Sequence, residues 1–325
     1  LKKQYIIAID GGTQSTKVLI FDTEGNVICE GVQALKPFYL AEPNIVLHPD
    51  DDLWDSLIVA CRKALKSFPG KMSDIIGVGL CTIRCCRALL KEDGTLAYPV
   101  ISWMDKRLSE PYKHENPEVR YVTTTSGYIT HRLTGNFKDT AANYEGQWPV
   151  DRDKWCWSDD PSVIEMYQVP RSMLLDLVVP GEILGTITPE ASKLTGIPEG
   201  IPVVATANDK AVEMLGCGPI DRATAVVSLG TYIAAMMQGT TNIGEANNYY
   251  ANMASVPGKY IYESNGIRRG MWSVSWIKNL LGSDPANEAK KQGISTEDYL
   301  NNLAKSIPAG CDGLGQQISC VFVEA

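Results

Sequence analysis

The chain is predicted to be an α/β protein of two domains, and three observations lead there. The N-terminal order of apolar runs reads strand, strand, strand, helix, strand, with tight turns between the first three. A strand–Gly–Thr–strand unit near the N-terminus is echoed more than 200 residues later. The length of 325 residues exceeds what a single core usually fills.

Residues 5–9 read as a buried strand, Asp10-Gly11-Gly12-Thr13 as a turn, and residues 17–21 as a second strand. Residues 22–26 then turn into a third strand over 27–31, which makes an antiparallel meander. A helix follows. Asp50, Asp51 and Asp52 suit its N-cap and first turn, and Leu53, Leu57, Cys61, Ala64 and Leu65 recur at helical spacing. Residues 75–80 read as the next strand. This order is not the repeated βαβ of a dinucleotide fold, and no G-x-G-x-x-G is present. Residues 111–189 are mixed and rich in turns. From Gly200 the pattern sharpens into a strand (201–205), a turn at Asn208-Asp209, a short helix (210–216) and the echoing hairpin, with strands at 223–228 and 232–237. The domain boundary is placed near Gly218-Pro219.

The formal net charge is −8, which argues against nucleic acid or an anionic membrane as the main partner. A nucleotide is still admitted, because backbone amides and a metal can hold phosphates on an acidic protein. Nine cysteines without a C-x-x-C pair read as reduced thiols in the cytoplasm rather than a zinc site. No apolar run approaches the roughly 18 residues of a membrane span, and the N-terminal apolar run is short for a signal peptide.

Four segments carry candidate chemistry. In Asp10-Gly11-Gly12-Thr13-Gln14-Ser15-Thr16-Lys17 the glycines let the backbone approach a ligand and turn its amides outward. One of Gly11 and Gly12 is expected in a conformation other residues avoid. Asp10 could hold Mg²⁺ through water. The plain alternative is an Asp-Gly hairpin turn. Ser228-Leu229-Gly230-Thr231 is a second loop of this kind, on its own more simply a structural turn. Asp209 follows a strand and could take the proton of a substrate hydroxyl, or merely cap the helix, a role open to Asn208 as well. Trp103-Met104-Asp105-Lys106-Arg107 could pack a sugar face and bind its hydroxyls, or form a surface ion pair beside a packed Trp. Arg84, with the vicinal Cys85-Cys86, is a polar group delivered to a sheet edge or a plain strand end.

Taken in order, residues 9–22 (IDGGTQSTKVLIFD), 103–107 (WMDKR), 128–135 (YITHRLTG) with Asp139, 200–218 (GIPVVATANDKAVEMLGCG) and 227–231 (VSLGT) resemble the FGGY family of carbohydrate kinases. That family includes xylulokinase, glycerol kinase, gluconokinase and ribulokinase. The resemblance implies an actin-like ATPase (ribonuclease H-like) fold with two domains around a cleft. It divides the chain into an N-terminal domain over 1–218 and a C-terminal domain over 219–325 that is incomplete here. It implies ATP and Mg²⁺ as cofactors and a small sugar, polyol or sugar acid as substrate, a xylulose-like ketose first. It implies a metal and phosphate role for Asp10 and phosphate binding by Gly11, Gly12, Thr13, Gln14, Ser15 and Lys17. Gly230 and Thr231 form the second phosphate hairpin, Asp209 is the catalytic base, and Arg84, Trp103, Asp105 and Asp209 face the sugar. The assembly is left open to a homodimer. The competing reading is a catalytically silent or non-sugar protein of the same ATPase fold. The glycerol-kinase-like arginine is matched by Arg84, but the acidic residue that follows it in that family's motif is Cys85 here.

Overall fold

The computed structural model describes residues 3–146, 148–218, 223–230, 232–244, 248–267 and 270–313. The expected meander is present. β1 (Tyr5–Gly11), β2 (Ser15–Asp22) and β3 (Val27–Ala34) pair antiparallel through tight turns. Along β1 and β2, Tyr5, Ile7, Ile9, Val18 and Ile20 alternate into the core, the period-two pattern of a half-buried sheet. Two short strands, β4 (Tyr39–Glu42) and β5 (Ile45–Leu47), lead into α1 (Asp52–Lys66). Leu53, Trp54, Leu57, Ala60, Cys61 and Ala64 of α1 are buried in the same core.

β6 (Ile75–Thr82) then returns parallel to β1. β7 (Arg87–Leu90), β8 (Leu96–Ile101) and β9 (Tyr121–Thr123) join β4 and β5 in a five-stranded sheet of order β4-β5-β8-β7-β9, and α2 (Thr125–Thr134) follows. The turn-rich middle contributes β10 (Lys138–Thr140), β11 (Val150–Asp151), β12 (Cys156–Trp157), α3 (Pro161–Tyr167) and β13 (Asp176–Val178). β14 (Ile183–Thr186), α4 (Pro189–Thr195), β15 (Pro202–Ala205) and α5 (Asp209–Gly216) come next. The principal sheet has the order β14-β15-β6-β1-β2-β3, with β15 parallel to β6 and β6 parallel to β1. β16 (Val226–Leu229), β17 (Ile233–Gly239), β18 (Tyr249–Met253) and β19 (Tyr260–Ser264) make a four-stranded sheet of order β16-β17-β19-β18.

Two compact units result. The first holds the described residues up to Ser228 together with Ala234–Asn265. Residues 234–265, which the sequence division places beyond 218/219, therefore group with the N-terminal unit. The physical cause is a shared core: Met236, Met253, Tyr260 and Ile261 pack with Trp155, Ala207, Ala211 and Met214. The second unit holds the described residues of 229–233 and 266–313, including α6 (Gly270–Leu280), α7 (Asp284–Gln292) and α8 (Thr296–Ala304). Among the described residues no helix is long and apolar enough to cross a membrane.

The N-terminus of α1 departs from the expected cap. Asp51 occupies the cap position, but its carboxylate makes no capping bond. It accepts instead from the Tyr128 hydroxyl and from Arg132 Nη1 on α2, with the Arg132 guanidinium 4.6 Å from the Trp54 ring centroid. The tertiary ion pair with desolvated partners outweighs the local cap.

β3 lies directly on α1. A Cβ at Gly31 would stand 2.1 Å from the Ala60 carbonyl oxygen and 2.6 Å from the Ala64 amide nitrogen. Because both are helix backbone, neither can swing aside. Gly31→Ala is expected to destabilise the protein by about 3 kcal/mol, read as a lower urea midpoint.

Candidate functional site

Parallel strands β1, β6 and β15 end at the same edge of the principal sheet, with Asp10 opposite Cys81 and Leu80 opposite Ala205. The crevice outside the carboxyl ends of parallel strands is where ligands collect in α/β sheets, because loops there can converge without disturbing the core. Three candidates far apart in sequence come to this edge. Asp10 closes β1, Arg84 lies just past β6, and Asp209 begins α5 just past β15.

The β1–β2 hairpin turns through Gly12, Thr13 and Gln14, with the Gly12 amide donating to the Ser15 carbonyl at 3.0 Å. The expectation of a glycine in the left-handed region is not met, since neither Gly11 nor Gly12 has a positive φ. Gly12 is needed for a different reason: a Cβ there would stand 3.1 Å from the Ser15 carbonyl oxygen. The hairpin is anchored by Thr16, whose hydroxyl shares a 2.7 Å hydrogen bond with that of Ser56, and by the Ile83 amide donating to the Gly11 carbonyl at 2.8 Å. Gln14 and Lys17 are exposed, while Thr13 and Ser15 are half-buried. Lys17 Nζ is 3.9 Å from Asp10 Oδ2, a loose pair of side chains 53% and 41% exposed, worth little in water. The Asp10 carboxyl is raised above its ordinary value, chiefly by desolvation, with Lys17 opposing and Glu213 adding to the rise.

Asp209 stands where the sequence left cap and base undecided, and here the geometry assigns the cap. The Asn208 side chain accepts from the Ala211 amide at 3.1 Å, closing the first turn of α5. The Asp209 carboxylate accepts only from the Lys210 amide at 3.0 Å among the hydrogen bonds of the described residues. Its pKa is raised by burial, against the charges of Arg84 and Lys210, with Glu213 pushing the same way as burial. Glu213 thus acts on both Asp10 and Asp209, and the Cys81 thiol between their strands is pushed up by burial and by all three carboxylates. Lys210 Nζ bonds Glu213 at 3.0 Å and the Ser228 hydroxyl, tying the helix to β16.

Arg84 is held more tightly than a strand end requires. Its two terminal nitrogens donate to both oxygens of Glu263 on β19, the Nη1 bond being 2.6 Å, and Glu145 Oε2 lies 3.4 Å from Nη1. Asn252 Nδ2 donates to Glu263 at 2.9 Å, and Asn208 Nδ2 donates to Glu145 at 2.7 Å. Asn208 therefore serves the helix cap and this network at once. The Cys85 residue after Arg84 has φ 61°, a conformation uncommon for a residue with a Cβ. Glu145 and Glu263 escaped the sequence reading. The available signal for Glu263 was a lone carboxylate within YIYES, in a strand whose neighbours are apolar, since a charge in such a place needs a partner.

Of the Trp103–Arg107 segment, it is Asp105 whose surroundings differ from the expectation of a sugar contact. Trp103 is half-buried and packs against the main core. Asp105 is fully buried and saturated by protein donors: the Val46 amide at 2.8 Å, the Arg107 amide at 2.9 Å, and Arg107 Nε and Nη2 at 2.9 and 2.8 Å. It clamps β5 to the turn that follows β8. Gly230 belongs to the second unit, where its carbonyl accepts from the Met271 amide at 3.1 Å at the start of α6. Thr231 lies outside the described residues. Among the described residues no three His, Cys, Asp or Glu side chains gather as a metal cage.

Residues 5–117 and 108–216 match the model of the FGGY family of carbohydrate kinases, N-terminal domain. The chain belongs to the FGGY family of carbohydrate kinases. It is 52% identical over 314 residues to the uncharacterized sugar kinase YgcE of Escherichia coli (strain K12), covering 97% of this chain and 64% of that protein. It is 23% identical over 357 residues to an autoinducer-2 kinase of Escherichia coli (strain K12), covering 96% and 66%. Of solved structures, the xylulose kinase of Rhodospirillum rubrum superposes with a TM-score of 0.79 at 21% identity, over 96% of this chain and 69% of that one. The FGGY chain thus has the actin-like ATPase fold of these kinases, and it spans slightly less than two thirds of the length of the curated relatives it matches.

Two predictions follow from the Arg84 network. Arg84→Met leaves Glu263, whose side chain is 0% exposed, without its cation. That should cost about 3–5 kcal/mol, read as a lower denaturation midpoint. The second concerns Glu145, whose pKa rises from 4.5 to about 8, chiefly through burial and against the pull of Arg84. Between these values the folded chain keeps a proton that the unfolded chain has lost. This group's contribution to stability is therefore full at low pH and declines as pH rises towards 8. Glu145→Gln, which retains the acceptor for Asn208, should flatten the fall in Tm between about pH 5 and 8 seen by calorimetry.

Proposed function

We propose that the protein to which this chain belongs is an ATP-dependent kinase acting on a hydroxyl of a small sugar, polyol or sugar acid, with a xylulose-like ketose as the first candidate. The observation that carries the proposal is the division of labour at Asn208-Asp209. Asn208 takes the cap and leaves a desolvated carboxylate at the sheet edge beside Arg84. Asp209 would accept the proton as the substrate oxygen attacks the γ-phosphorus, help typically worth about 10²–10⁴-fold. Arg84, fixed at both ends of its guanidinium, would orient substrate hydroxyls without having to be ordered first.

The Asp10–Lys17 hairpin would receive phosphate through its backbone amides and the Thr13 and Ser15 hydroxyls, with Lys17 as a further cation. Asp10 suits Mg²⁺ because its carboxylate is partly exposed and has only a loose counter-charge. When bound, Mg²⁺ would neutralise charge on the transferred phosphoryl group. Gly230 and Thr231 are proposed to supply the second phosphate hairpin, at the start of the 219–325 domain. Asp105 is assigned a structural part in place of a sugar contact, since its acceptor sites are filled. The ketose is favoured because xylulose kinase structures share this fold. ADP release should rise above background with one of xylulose, other ketoses, polyols or aldonates, and no rise with any of them would overturn the reading.

Asp209→Asn should lower kcat by about 10²-fold or more while ATP affinity and Tm stay near wild type, because Asn208 still caps α5. In the wild type, kcat/KM should fall as pH drops through the raised pKa of Asp209. A variant with near wild-type kcat would reduce Asp209 to a bystander.

A further inference from the structure

The outer face of the five-stranded sheet holds a cavity of about 280 Å³ that the candidate site does not use. Along β7 the side chains alternate. Ala88 and Leu90 enter the main core, whereas Arg87 and Leu89 line this cavity. Arg87 is only 5% exposed, and its Nε finds no hydrogen-bond partner. Among the described residues no carboxylate, carbonyl or hydroxyl accepts from its guanidinium. Its burial is offset by ring faces, the Tyr112 and Trp148 centroids lying 5.7 and 5.5 Å from its Cζ, and at longer range by the charge of Asp105, which accepts no bond from it. Burial lowers its pKa to about 10, so it remains a cation at neutral pH.

The other charges facing the cavity do not compensate it. Arg107 is consumed by Asp105 at 2.8 Å, and Lys113 and Glu110 pair loosely at 3.5 Å on exposed side chains. Glu115 is exposed. A stacked guanidinium keeps its in-plane N–H donors free, and those donors match the geometry of a carboxylate or phosphate. Leu89, Ile101 and Val119 add apolar walls, with Tyr98 and Tyr112 as aromatic ones.

We propose that this cavity is a second ligand site, one that takes a small oxyanion carried on an apolar or ring-shaped body, such as an organic acid or a phosphate ester, with Arg87 as its charge anchor. It shares no residue with the Asp10, Arg84 and Asp209 group.

The test is calorimetric titration of the full chain with inorganic phosphate and, separately, malonate. The two arms distinguish a phosphate ester from a carboxylic acid as the natural source. Saturable binding of at least one probe is expected, weakened by about tenfold or more in Arg87→Met. Asn116→Asp is the second variant. It places a carboxylate in the same cavity while keeping the side-chain oxygen that accepts from the Glu118 amide. It gives up the long 3.4 Å bond from Asn116 Nδ2 to the Ala97 carbonyl, so Tm should fall only slightly, and it should abolish the same binding in a chain that still melts cooperatively, which guards against misfolding of Arg87→Met. Saturable binding of neither probe overturns the proposal. So does binding that both variants leave intact, because the anion then sits elsewhere, such as the phosphate hairpin.

Discussion

A guanidinium taken out of water demands acceptors, and the requirement of Arg84 organises much of the first unit. Its bidentate pair with Glu263 joins the end of β6 to β19 across 179 residues of sequence. Glu145, Asn208 and Asn252 complete the acceptor and donor balance around the pair. Breaking such a network at one member strands a buried charge, so it adds to the shared apolar core that holds residues 234–265 with the N-terminal unit. The same network shapes the site. It fixes Arg84 at the sheet edge, and through Asn208 it fixes the start of α5.

The candidate base owes its freedom to that arrangement. An Asp at the start of a helix usually spends its carboxylate on backbone amides. Here the preceding Asn does so, and its amide nitrogen simultaneously satisfies Glu145. Asp209 is left desolvated, with the cations Arg84 and Lys210 acting on it against the carboxylates of Glu213 and Glu145. The balance matters chemically, since a base needs a pKa raised enough to hold a proton in passing but not so far as to be protonated at rest.

Much of the site was legible because its parts are local. The hairpin glycines, the Asn-Asp pair at a strand–helix junction and the Arg at a strand end each announce themselves in short segments. What was misread also has a physical cause. Asp105 looked like a ligand group, yet four donors from Val46 and Arg107 fill it, and Val46 lies 59 residues away. Gly11 or Gly12 was expected in an unusual backbone conformation, and neither has one, although Gly12 still matters. It is required instead by a close approach to a carbonyl, which depends on hairpin register rather than on residue type. Glu145 carries no local motif, and Glu263 only the signal of a lone carboxylate in an apolar strand.

Sequence alone determined the three-stranded meander, the helix after it, the strand over 75–80 and the FGGY pattern, though not the short strands β4 and β5 that precede the helix. These follow from periodicity and turn chemistry, which act over a few residues. Only the tertiary structure decided which carboxylates are structural and which are free. It decided that β1, β6 and β15 end together, and that Arg87 is buried against aromatic rings without an acceptor. The reason is that charge balance in a low-dielectric interior is set by neighbours in space, and those neighbours are separated here by 60 to 180 positions in the chain, as Arg84 is from Glu145 and Glu263.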